Sequence, residues 1–98
     1  MNETHLDAAA PPLSLLATGD LLAWAGGGVV LLGERAIDRW IVARAWREDD
    51  RLSDVRRWSF AEPRGFAGQF RRLCLEATND PATARAIGVA ALAWTERT

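Results

Sequence analysis

Trp40, Trp46, Trp58 and Phe60 are interleaved with Arg39, Arg44, Arg47, Arg51, Arg56 and Arg57 within one short stretch of the chain. A guanidinium grips phosphate or carboxylate through paired hydrogen bonds and stacks on flat rings, and an exposed indole offers a base a stacking face. Together they suit single-stranded RNA or DNA. The same residues also build a sheet whose rings are buried and whose arginine stems cover the ring edges, leaving charge at the rim. Aromatic residues and arginine are likewise enriched where protein surfaces meet, so the stretch also suits a homo-oligomer or protein contact. A chain of 98 residues can rarely leave most of its aromatic area in water, which favours the buried arrangement. The candidate binding residues are Trp40, Arg44, Trp46, Arg56, Arg57 and Trp58.

Elsewhere the residue types that carry chemistry stand alone. His5 is the one histidine and sits in a segment that ends at Pro11-Pro12, so a nucleophile–imidazole pair would need that segment to fold back. Cys74 is the one cysteine and lies on an apolar helical stripe, where a thiol packs as a small hydrophobe; no internal disulfide can form. One histidine and one cysteine cannot assemble a zinc site of familiar spacing. Asp49 and Asp50 lack the alternating oxygen ligands and turn glycine of a calcium loop, and read as a solvated turn. Gly26-Gly27-Gly28 precedes the β-like run Val29-Val30-Leu31-Leu32 rather than a helix, so a turn explains it better than a phosphate loop. No catalytic residue, metal, cofactor or small-molecule substrate is expected.

The elements that must position the tryptophans and arginines follow from period and punctuation. Residues 1–12 read as a mobile tail and 13–98 as a single domain. Leu13 to Ala17 reads as a short strand or a helical turn, and Leu21–Ala25 and Val29–Leu32 as a hairpin around the glycines. The segment Arg35–Arg47 carries both a helical and a period-two pattern. Its alanines and arginines lean to helix, while the Val, Trp and Phe of Val55–Ala61 lean to a partner strand. A hairpin turning at Glu48–Arg51 is therefore expected, and an even-sum register would gather Trp40, Val42, Arg44, Trp46, Arg56, Trp58 and Phe60 on one face. Phe66, Phe70, Leu73, Cys74 and Ala77 then recur at helical spacing after Pro63. Asn79-Asp80-Pro81 supplies a break, a cap and a first-turn proline for a second helix to about Thr95, so apolar that it needs cover on more than one side.

The expected fold class is α+β: an N-terminal antiparallel meander of about four strands, free to curl into a small barrel, followed by two helices. At the level of fold alone this is similar to the small SH3-like and Sm-like barrels. The glycine, aspartate and asparagine pattern of the Sm motifs is missing from Leu21 to Asp38, and here the helices come last. Net charge is -1, so the molecule as a whole does not advertise a polyanion partner, although Arg35 to Arg72 is locally basic. No apolar run is long enough to span a bilayer and no basic leader precedes one, so a cytoplasmic protein without a membrane partner is expected. The functional expectation is a non-catalytic interaction or self-assembly module, with nucleic-acid binding through the Trp/Arg face as the alternative.

Overall fold

The computed structural model describes residues 15–98. The expectations for the tail, including His5, fall outside the described residues. Five strands run β1 (Leu15–Thr18), β2 (Leu21–Gly26), β3 (Val29–Arg35), β4 (Trp40–Glu48) and β5 (Arg51–Phe60), followed by α1 (Pro63–Thr78) and α2 (Pro81–Arg97). The sheet is antiparallel throughout with strands in sequence order. It is thus the expected α+β fold, with five strands where about four were expected, the short segment before Thr18 taking the strand and not the helical-turn alternative. The sheet stays open and does not curl into a barrel. Strand wins over helix at Trp40–Glu48 because β3 and β5 flank it on both sides, and its alternate apolar residues serve both faces of the sheet.

Each hairpin turns where the sequence supplies a residue for it. Gly27 and Gly28 link β2 to β3 with φ of 60° and 81°, values that a glycine adopts without the Cβ penalty. Asp49 takes φ 55° between β4 and β5. α1 ends at Asn79, whose left-handed φ of 56° brings its N–H to Leu75 O at 2.7 Å. α2 starts on Asp80, whose carboxylate accepts from the Ala82 N–H at 3.2 Å and from Thr83 Oγ1 at 2.6 Å, with Pro81 in the first turn. The Thr83 bond, foremost, holds the Asp80 carboxyl below the usual carboxylate range.

Both helices lie on one face of the sheet. Leu22, Trp24, Val29, Leu31 and Val42 meet Phe66, Phe70, Leu73 and Cys74 of α1, and α2 adds Ala84, Ile87, Ala91 and Trp94. Gly33, paired with Leu22 and Val42, leaves the gap that Phe66 fills: a Cβ there would stand 2.7 Å from the ring. Each large ring removes about 150–250 Å² from water, on the order of 4–6 kcal/mol of transfer free energy before ordering costs. Phe66, Phe70 and Trp94 are therefore the main weight of the core.

Cys74 has no exposed surface, and burial pushes its thiol up to about 11. Burial favours the neutral thiol, so this contribution to stability is intact below the ordinary thiol value and is lost as the pH rises between about 9 and about 11. Urea titrations across that range should show a falling unfolding free energy that Cys74→Ala flattens; equal slopes in the two proteins would refute the coupling.

Candidate functional site

The two faces of the sheet differ, and register determines which residues meet on each. Trp40 pairs with Phe60, Val42 with Trp58 and Arg44 with Arg56, the even-sum register. A bulge then intervenes: Asp54 adopts φ 52°, one residue is inserted in β5, and Trp46 pairs with Ser53 instead of lying near Arg56 or Trp58. Opposed residues point to the same side, so Trp40, Arg44, Trp46, Arg56 and Trp58 all belong to the face that carries the helices. Arg57 alternates to the other face.

Within that set the surroundings diverge. Trp40 is half-buried, donates from Nε1 to Thr98 Oγ1 at 3.4 Å, and carries the Arg35 guanidinium 4.1 Å above its ring. Trp58 is half-buried beneath Arg44, whose guanidinium carbon lies 5.6 Å from the ring centroid. The Arg44 side chain is only 18% exposed; its Nη1 lies 3.9 Å from Glu76 Oε1 of α1, and its buried Nε has no partner among the described residues. Trp46 keeps 43% of its surface in water, and Arg56 and Arg57 are exposed.

Arg44, Trp46, Val29, Leu73, Glu76 and Ala77 surround a cleft of about 100 Å³ at the junction of the sheet and α1. Sites that enclose a small molecule usually offer about 300 Å³ or more. Arg44 is matched by Glu76 and by the Trp58 ring, so its charge chiefly ties α1 to β4. The six candidate residues therefore do not form one continuous stacking platform: Trp46 and Arg56 are open on one face, Arg57 on the other, and Trp40 and Trp58 are half-covered.

The opposite face carries a different pattern. One cross-strand row reads Leu16, Ala23, Leu32, Ala43, Arg57, and a second reads Leu21, Glu34, Ile41, Ser59. A third joins Ala25, Val30 and Ala45. No element among the described residues covers these rows. Leu16 is 55% exposed, while Ala43 and Ala45 are shielded because they are short and stand between longer neighbours. The signal was present in the sequence, since β2 and β3 are apolar at consecutive positions. An antiparallel strand with one wet face would alternate apolar and polar residues, whereas a strand covered on both faces reads as a continuous apolar run.

Among the described residues no group of three or more His, Cys, Asp or Glu is placed to hold a metal ion, and no helix is long and apolar enough to cross a membrane. Comparison with protein-family models, with curated proteins and with solved structures returns no match for this chain.

Proposed function

We propose that this chain is a non-catalytic self-assembly module whose outer sheet face pairs with the same face of a second copy. The observation that carries this reading is the apolar field of Leu16, Ala23, Ala25, Val30, Leu32, Ile41, Ala43 and Ala45, one strand layer deep and without a helix over it among the described residues. Contiguous apolar surface of this extent on a small domain marks an interaction site. Five strands at about 4.8 Å and six residues at about 3.3 Å give roughly 475 Å² of projected area per copy. Side-chain relief raises the sum for two copies toward the roughly 1,000 Å² of a specific pair.

A second copy suits the charges as well as the shape. Strand alternation puts Glu34 at one end of the face and Arg47 at the other. A two-fold axis lying across the strands turns one copy end over end, so each acidic end meets a basic one, with the sheets stacked about 10 Å apart. Binding of single-stranded nucleic acid through the Trp/Arg face draws less support, because Trp40 and Trp58 are half-buried.

Sedimentation equilibrium tests the pairing. The wild-type chain should show concentration-dependent association that Leu32→Arg or Val30→Asp reduces, each variant keeping the wild-type circular dichroism spectrum. A wild-type monomer at millimolar concentration, or folded variants that associate as the wild type does, would overturn the proposal.

A further inference from the structure

β5 ends the sheet on one side, and the direction of its backbone groups follows from the strands beside it. In an antiparallel strand the N–H and C=O of one residue point to the same flank, and successive residues alternate. Arg39 O accepts from the Ala36 N–H at 2.8 Å, and the Arg47 N–H donates to Gly28 O at 2.9 Å. The odd-numbered residues of β4 therefore turn toward β3 and the even-numbered ones toward β5. Arg44–Arg56, Val42–Trp58 and Trp40–Phe60 are thus the hydrogen-bonded pairs. Arg57 and Ser59, between them, direct their amides and carbonyls outward, and no strand among the described residues takes these up.

The side chains along that flank are of one kind. Arg56 is exposed on the helix face and Arg57 on the outer face, and neither is within ion-pair distance of a carboxylate among the described residues. Their neighbours leave the cationic character in place. Arg44, across from Arg56, shares Glu76 with Arg72 at 3.9 and 3.6 Å, and Arg51 lies 3.4 Å from Glu48. Asp54, in the bulge, is the one carboxylate of β5 against Arg51, Arg56 and Arg57. Past Phe60, Glu62 and Arg64 offset each other. Trp58 and Phe60 pack on the core from the helix face while leaving part of each ring in water beside the open flank.

We infer that the flank from Arg56 to Phe60 receives an extended acidic segment of a partner protein as a sixth, antiparallel strand. The segment's residues opposite Arg57 and Ser59 close four backbone hydrogen bonds. The residue opposite Arg57 is acidic, and so is the next one, opposite Arg56, because alternation puts the two arginines on different faces. The residues opposite Trp58 and Phe60 are apolar and complete the cover of both rings. In its own direction the segment reads apolar, polar, apolar, acidic, acidic.

A second copy of β5 is the wrong occupant, because the strand laid on itself brings its own arginines together. Hydrogen bonds from the backbone supply the attachment, while the arginines and the half-covered rings select the sequence. The contact runs along the rim of the sheet, so it stands whether or not the outer faces of two copies pair.

The probe is a blocked, labelled peptide reading valine, threonine, valine, glutamate, glutamate, titrated into the full chain and followed by fluorescence anisotropy. It should bind, and amide exchange should slow chiefly at Arg57 and Ser59, since Arg56 and Trp58 are already bonded to β4. Arg56→Glu with Arg57→Glu should weaken binding by about tenfold or more and shift preference to a peptide ending in two lysines. Replacing the peptide's threonine by proline keeps its charge, removes one donor and should weaken binding by about tenfold. Ser59→Pro, acceptable where an edge N–H faces solvent, should do the same from the protein side. No binding at millimolar peptide, a proline peptide that binds as well as the parent, or binding without slowed exchange at Arg57 and Ser59 would overturn the inference. The exchange readout is made on the unaltered chain and needs no variant to fold.

Discussion

Trp94→Ala should lower the unfolding free energy by about 3–5 kcal/mol, the largest single-residue loss expected in this fold. Trp94 is 1% exposed, its ring centroid lies 5.3 Å from that of Phe66, and its Nε1 donates to Gly19 O at 3.1 Å. The substitution removes the ring that fixes α2 to the rest of the core and leaves a carbonyl in the β1–β2 turn without its donor. Domains of this size are stable by about 5–15 kcal/mol, so the loss takes a large share of the total and should lower the thermal midpoint markedly. Trp94→Phe keeps a ring against Phe66 but deletes the hydrogen bond, and should lose about 1–2 kcal/mol. Trp46→Ala, at a residue 43% exposed, should lose less than about 1 kcal/mol. Urea denaturation of the three variants gives the order, and a Trp94→Ala midpoint close to the wild type would contradict the packing described above.

Gly27→Ala should cost about 3 kcal/mol, whereas Gly28→Ala, one residue on, should cost about 1 kcal/mol. Both glycines have positive φ, so an alanine at either position carries the same kind of backbone strain. Only at Gly27 does space run out as well. A Cβ there would overlap the backbone carbonyl of Ala77 in the last turn of α1, so the hairpin and the helix would have to separate. At Gly28 nothing lies within 4 Å. The difference between the two variants isolates the contact of the β2–β3 turn with α1 from the turn's own conformational demand. Equal losses by thermal or urea unfolding would mean that the contact contributes nothing.

Much of the fold was legible because its signals are local. Pro63 and Asp80-Pro81 mark both helix starts, and the Phe66, Phe70, Leu73 and Cys74 stripe lies on the core as its spacing requires. The hairpin from Trp40 to Phe60 was legible through the strand propensity of Val, Trp and Phe in its second arm, since the first arm carries a helical pattern as well as a period-two one. Leu15–Thr18, open in the sequence to a strand or a helical turn, becomes a strand on the edge of β2. One feature was hidden. The bulge at Asp54 depends on a left-handed residue between the expected turn and the expected strand, and it moves Trp46 out of the register that would have placed it near Arg56 or Trp58.

The candidate site was legible in its residue types and not in its geometry. The sequence groups Arg56 with Arg57, while alternation sends them to opposite faces. It ranks Trp40 and Trp58 with Trp46, while the helices and Arg44 half-cover the first two. Which of two apolar faces receives the helices is a tertiary choice, set where Gly33 opens a gap for Phe66 and Arg44 meets Glu76. Strand pattern alone left both faces equivalent, so the face of Leu32 and Ala43, opposite the helices, is set apart only once α1 has taken its place.

The extra residue at Asp54 also bears on how such a chain avoids amyloid. β5 is the long outer strand of the sheet, ten residues with one flank unpaired among the described residues, and such a flank is a template for cross-β growth. The inserted residue kinks that flank and increases its twist, and Arg51, Asp54, Arg56 and Arg57 stud it with charge. At the opposite border, β1 is only four residues long. Lateral fibrillation is thus discouraged at both borders of the sheet by two different devices, a charged kink at one and brevity at the other.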